Sequence, residues 1–190
     1  MKTGIFGGTF DPPHIGHILL AQKAKQQCKL DRIILLPSAV PPHKKSHLSG
    51  FHRLELARIT AEEYGFELCD WEYKKKSPSY TIETISYMKT LYPGDQLYFI
   101  IGGDSMLDFE KWYRWEELIT MCSFIVGIRK QSELDAVNAA AADKRRRFGA
   151  DITVLDIIPV DISSTEIRET GDLSEVPPRV REYIIKNKLY

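Results

Sequence analysis

A doubly wound α/β fold, with a mainly parallel sheet and helices on both faces, is what this chain predicts, and three observations carry the expectation. Short apolar, β-branched runs alternate with helical patterns along the length, which is the sequence form of βαβ units. Several of these runs end in loops rich in glycine, proline or lysine, where ligands of such sheets bind. The 190 residues suit one domain able to bury its own core, 1–190, closed by a small C-terminal helical part.

The first strand is expected at Thr3–Phe6, running into Gly7 and Gly8, and Ile15–Cys28 then reads as a helix. Arg32–Leu36 is the second strand, leading into loop 37–45. Phe51–Glu63 follows as a helix, with Leu54, Ala57 and Arg58 at three-and-four spacing. Phe66–Trp71 reads as a third strand and Thr81–Leu91 as a helix. Gln96–Ile101 is the fourth strand and enters Gly102-Gly103-Asp104, before a helix at Trp112–Met121. Ser123–Ile128 is the fifth strand. Leu134–Phe148 is helical, because its alanine-rich segment has the highest helix propensity, and Ile152–Leu155 is the last strand. The run Lys144-Arg145-Arg146-Arg147 complements the dipole of a helix end and is expected in solvent, not on a nucleic acid. Four strand ends should thus face one crevice.

Charge excludes some partners. With 26 basic and 26 acidic residues the formal net charge is zero, so no global field favours nucleic acid or an anionic membrane. No run approaches a membrane span. Cys28, Cys69 and Cys122 are odd in number and lack metal spacing, which suits packed thiols in a reduced cytoplasm.

Gly7, Gly8, Thr9 and Phe10 form a turn between strand and helix, and adjacent glycines admit a bulky anion to main-chain N–H groups. His14 and His17 share one face of the first helical turn and can each donate to phosphate oxygens. A capping or core role is the bland alternative. Zinc is disfavoured, because no Cys or carboxylate set completes a tetrahedral site. A second anion cradle is expected at Ile162-Ser163-Ser164-Thr165-Glu166-Ile167-Arg168, which also reads as a capping box from Ser163 to Glu166.

The stretch GGTFDPPHIGH resembles the signature of the nucleotidyltransferase superfamily named for its (His/Thr)-x-Gly-His motif, whose members transfer a nucleoside monophosphate from a triphosphate to an acceptor. The resemblance implies a Rossmann-like sheet and an ISSTxxR-type segment that holds the outer phosphates, here Ser163, Ser164, Thr165 and Arg168. Leu36–Lys44 with its PPHK, Ser77–Thr84, and Ile101–Asp104 followed by Trp112 narrow the likeness to bacterial nicotinate mononucleotide adenylyltransferases. What that implies is condensation of ATP with nicotinate mononucleotide to deamido-NAD and pyrophosphate, with Mg2+ on the ATP.

His14, His17 and Arg168 are then the expected catalytic residues. Gly7, Gly8, Thr9, Phe10, Gly103 and Asp104 join them and the Ser163–Thr165 segment on ATP. Nicotinate mononucleotide falls to Gly8, Lys44, Thr81, Asp104, Trp112 and Tyr113. Trp112 offers a flat face to the pyridinium ring, or else core packing on a helical stripe with Trp115 and Leu118. N–H groups at Thr81 and near Tyr113 suit a carboxylate and oppose a carboxamide. Lys44 reads as a phosphate partner or a solvated lysine, and Asp104 as a ribose acceptor or a helix N-cap. The chain departs from the family at Ser38 and at Arg129-Lys130-Gln131. Phosphopantetheine adenylyltransferases and glycerol-phosphate-type cytidylyltransferases share the phosphate motifs but not the acceptor loops. A nucleotide-binding regulator without turnover is the alternative of another class, and a homo-oligomer is compatible with all of these.

Overall fold

A computed structural model describes residues 1–40, 46–75, 78, 80–156 and 161–190. The elements run β1 (Lys2–Gly8), α1 (Ile15–Gln27), β2 (Arg32–Pro37), α2 (Gly50–Tyr64), β3 (Glu67–Leu68), α3 (Trp71–Lys74), α4 (Thr81–Leu91) and β4 (Gln96–Gly102). They continue with α5 (Gly103–Leu107), α6 (Trp115–Met121), β5 (Ser123–Gly127), α7 (Leu134–Phe148), β6 (Ile152–Val154), α8 (Ser164–Thr170) and α9 (Pro178–Asn187).

The six strands form one parallel sheet in the order β3-β2-β1-β4-β5-β6, as the alternating pattern predicts. β1 and β4 register Ile5 against Phe99, and β4 and β5 register Phe99 against Phe124. The near-continuous burial of β4 and β5 explains their unbroken apolar sequences, since a strand covered on both faces has no polar side to show. Strand order reverses between β1 and β4, which end in Gly8 and Gly102.

Two expected elements are corrected. The strand proposed at Phe66–Trp71 is only Glu67–Leu68, and Trp71–Lys74 is a helical turn in which Lys74 pairs with Asp70 at 2.7 Å. Four residues along a strand would separate that pair by about 13 Å. The helix proposed from Trp112 begins at Trp115. Trp112 is extended (φ −77°, ψ 146°) after a 3-10 turn at Phe109–Lys111, and Arg114 is left-handed (φ 54°), so Trp112 shares no helical stripe with Trp115 and Leu118.

The chain divides into two compact units. One holds 1–6, 20–33 and 80–160, and its core is built on Ile5, Phe99, Phe109 and Phe124. Within it Asp95 accepts from the Thr3 hydroxyl at 2.6 Å and from Arg32 Nη2 at 2.7 Å, and these two bonds hold its carboxyl down at about 2. Here α7 stops at Gly149 (φ 64°), whose N–H returns to the Arg145 carbonyl in the left-handed turn that glycine adopts at little cost.

The other unit holds 7–19, 34–79 and 161–190. Leu56 and Ile59 of α2, Ile167 of α8, Val176, and Val180 and Ile184 of α9 make its core cluster. Burying Ile167 is worth roughly 2 kcal/mol and docks α8 beside α2 and α9, which fixes where the neighbouring Arg168 can reach. The expected C-terminal helical part is therefore α8 and α9.

Candidate active site

The motif turn is shaped by contacts that its glycines permit. Phe10 is left-handed (φ 50°), and its buried ring folds beneath Gly8, where a Cβ would lie 3.1 Å from the ring edge. The Asp11–Pro12 peptide is cis. His14 is 3 % exposed and lies across Gly16, where a Cβ would stand 3.0 Å from its Nδ1. A side chain at Gly16 would therefore crowd the first ring, which would have to give by a few tenths of an ångström. His14 and His17 face each other with ring centroids 3.7 Å apart, and Phe10 meets His17 edge-on at 5.3 Å.

The backbone N–H of His14 donates to Nδ1 of His17 at 3.2 Å. An acceptor at Nδ1 puts the proton of the neutral ring on Nε2, so the second histidine is oriented and set as an Nε2 donor. The N–H of Ile15 donates to the Glu175 carbonyl at 2.8 Å. These two amides are occupied and are not open donors at the helix opening.

The segment 162–168 closes on the same turn. Ser163 caps α8, its Oγ accepting from the Glu166 N–H at 3.1 Å, so the capping reading holds for this residue. Ser164 Oγ donates to the Pro12 carbonyl at 2.9 Å, and Arg168 Nη1 donates to the Asp11 carbonyl at 2.5 Å. Arg168 Nη2 donates to Thr165 Oγ1 at 3.1 Å. Each hydroxyl has a task in the fold: one caps, one tethers, one aims the guanidinium. Arg168 Nε is buried and has no hydrogen-bond partner among the described residues, so donor capacity remains on that cation.

Gly7, Gly8, Thr9, Phe10, His14, His17, Ser163, Ser164, Thr165 and Arg168 all belong to this unit, and hydrogen bonds join the two helix openings through Asp11 and Pro12. Sequence reading missed Asp11, Arg53 and Tyr190. Asp11 is 2 % exposed, and its Oδ2 accepts from the His47 N–H at 2.7 Å while its Oδ1 accepts from the Tyr190 hydroxyl. Arg53 is a buried cation on α2 that donates to loop carbonyls. The Asp in the glycine-histidine stretch was the one signal available in advance. Lys44, Ser77 and Ser79 lie outside the described residues.

The remaining candidates belong to the first unit. Thr81 opens α4 after Tyr80, which gives the helix start no side-chain cap. The Tyr80 ring packs on Tyr113 with centroids 4.7 Å apart, so the uncapped helix start and Tyr113 are neighbours. Trp112 stacks on Phe109 at 5.1 Å and meets Phe99 edge-on at 6.4 Å. Asp104 is the second residue of α5 and not its N-cap, which is Gly102; a Cβ on that glycine would lie 2.6 Å from Asp104 Oδ1.

Among the described residues no three His, Cys, Asp or Glu side chains gather as metal ligands, and no helix is long and apolar enough to cross a membrane. Burial raises the thiols of Cys28 and Cys69 above the usual range and pushes Cys122 up to about 12, which suits packed, unreactive groups.

Comparison with known proteins bears on this geometry. A profile of the cytidylyltransferase-like family matches residues 5–170. A "probable nicotinate-nucleotide adenylyltransferase" of Shewanella sp. (strain MR-4) is 41% identical, over 100% of this chain and 99% of its own length. One of Carboxydothermus hydrogenoformans is 38% identical over 100% and 98%. In fold the chain is similar to Plasmodium falciparum nicotinic acid mononucleotide adenylyltransferase complexed with NaAD, at 22% identity, with a TM-score of 0.80 and coverage of 100% and 98%.

Proposed function

The chain belongs to the cytidylyltransferase-like family and, within it, to the nicotinate-nucleotide adenylyltransferases, and from that premise we propose that it transfers the adenylyl group of ATP to nicotinate mononucleotide, releasing pyrophosphate and forming deamido-NAD. The observation that carries the reading is the hydrogen-bonded union of the two helix openings, Arg168 on the Asp11 carbonyl and Ser164 on the Pro12 carbonyl. A tethered guanidinium and a tautomer-set imidazole suit the charge of a polyphosphate.

In this reading the acceptor phosphate attacks the α-phosphorus in line and pyrophosphate leaves. The acceptor is already ionised at neutral pH and needs no general base. His14 and His17 meet the α- and β-phosphates, His17 through Nε2–H. Arg168 and the N–H groups of Ser163, Ser164 and Thr165 hold the β- and γ-phosphates, since the three hydroxyls are engaged elsewhere. Gly7, Gly8, Thr9 and Phe10 bring main chain without bulky side chains at the glycines to the triphosphate. In the other unit Gly103 and Asp104 serve the nucleotide, Trp112 and Tyr113 the nicotinate ring, and the uncapped start of α4 at Thr81 its carboxylate. Lys44 serves the mononucleotide phosphate. The whole chain, 1–190, works as one nucleotidyltransferase domain in the cytoplasm.

Mg2+ would arrive with ATP, on the polyphosphate that His14, His17 and Arg168 are proposed to hold. Bound there, the ion supplies neutralisation of phosphate charge.

Pyrophosphate release from ATP and Mg2+ with nicotinate mononucleotide, set beside nicotinamide mononucleotide, tests both reaction and acceptor. Turnover with the acid well above the amide is expected. Equal rates would remove the acid-selective reading, and no turnover with either would remove the reaction.

A further inference from the structure

We propose that Arg53 is a positioning residue that locks two substrate loops into a single register. The residue sits in the first turn of α2 and is 1 % exposed. Its Nη1 donates to the carbonyls of Ser38 and, at 3.4 Å, of Thr9, and its Nη2 donates to the Ala39 carbonyl at 2.7 Å. The ring of Tyr73 lies 5.9 Å from the guanidinium carbon, and its hydroxyl donates to the same Ser38 carbonyl at 3.5 Å. No carboxylate pairs with Arg53 among the described residues, and its buried Nε has no hydrogen-bond partner there.

A permanent cation held by neutral groups alone is costly to desolvate. What the arrangement yields is geometry. Thr9 belongs to the glycine turn after β1, and Ser38 and Ala39 to the turn after β2. One planar fork spans both turns, a task that a lysine's single ammonium cannot match. A further bond, from the Ser38 N–H to the Gly8 carbonyl at 2.8 Å, depends on the same spacing. The inference rests on the proposed reaction, in which the first turn meets the triphosphate and the second leads into the segment carrying Lys44. Arg53 touches neither substrate and acts through the backbone that does.

The test uses Arg53→Lys in the full chain, with Arg53→Gln as a second variant should the first fail to fold. Steady-state kinetics are measured for both substrates, with amide hydrogen exchange in the absence of ligand. Loosened loops are expected to raise KM for ATP and for nicotinate mononucleotide roughly tenfold or more, because they must first be ordered on binding, with kcat falling less. The Ser38 amide should exchange faster while amides of α2 and β4 keep their protection. Unchanged KM for both substrates, or exchange that rises alike across α2, β4 and Ser38, would overturn the inference. Failure of the reaction is distinguishable from this, because it would appear as absent turnover in the wild type while the exchange experiment still reads the clamp.

Discussion

The hydroxyl of Tyr190 donates a hydrogen bond to Oδ1 of Asp11, 179 residues earlier in the chain. Asp11 thereby joins three parts of its unit: Tyr190 on one carboxylate oxygen, the His47 and Leu48 amides on the other, and Arg168 on its carbonyl. Burial, and then the Asp11 carboxylate, raise the Tyr190 phenol above the tyrosine range, so it remains a donor at any working pH. Tyr190→Phe removes that donor with little change in shape. The expected cost is about 1 kcal/mol of stability, since the site is partly wet, together with a higher KM for ATP as Arg168 loses its fixed seat. Urea unfolding and steady-state kinetics check both, and an unchanged midpoint with unchanged KM would mean that the hydroxyl does not hold Asp11.

Gly16→Ala separates activity from stability. Alanine is the better helix former by about 1 kcal/mol, yet its Cβ would press on His14 Nδ1 at 3.0 Å, and that ring is confined against His17. Thermal stability is expected to stay close to wild type while turnover falls about tenfold or more, the scale of small misplacements near reacting atoms. Full activity in the variant would show that the His14 ring can shift without consequence.

His17→Ala removes the imidazole whose Nδ1 is occupied by the His14 amide. Loss of one transition-state donor costs about two to three powers of ten in kcat. The fold and ATP affinity should be largely retained, which equilibrium binding and circular dichroism can establish. A kcat within a few-fold of wild type would take this residue out of the chemistry.

Asp95 gives a pH signature in the unit that lacks the motif turn. Hydrogen bonds from Thr3 and Arg32 depress its folded pKa to about 2 from the ordinary 3.8. A depressed carboxyl stabilises the folded state above its unfolded pKa, and that contribution disappears as pH falls through the folded value. Asp95→Asn should therefore be less stable than wild type at neutral pH, with the gap closing between about pH 4 and pH 2. Parallel urea titrations across that window measure it. A gap constant down to pH 2 would refute the assignment.

Much of this molecule is legible from local pattern, and the exceptions have physical causes. The strands β1, β2, β4 and β5 announce themselves because buried parallel strands need unbroken apolar runs, and the two motif segments stand out because paired glycines followed by two histidines, and a Ser-Ser-Thr run followed by Arg, are specific local patterns. Ser163 is readable as a cap because serine is a preferred N-cap residue and Glu166 follows three residues on. The length of β3 is not, since Phe66–Trp71 has strand composition while only Glu67–Leu68 pairs and the chain turns helical at Trp71. Trp112 misleads because the left-handed Arg114 resets the helix start, which periodicity does not reveal. Arg53 and Tyr190 look like an ordinary helix arginine and an ordinary tyrosine. Their roles depend on carbonyls and a carboxylate brought near only by the fold.

In the proposed reaction the adenylyl group of ATP moves to the acceptor while the joined helix openings hold the polyphosphate. ATP radiolabelled at either the α- or the γ-phosphorus, incubated with Mg2+, nicotinate mononucleotide and the wild-type protein, tests it most directly. The α-label is expected in deamido-NAD and the γ-label in pyrophosphate. Label from the γ-position on the acceptor, or no α-label in any dinucleotide, would contradict it.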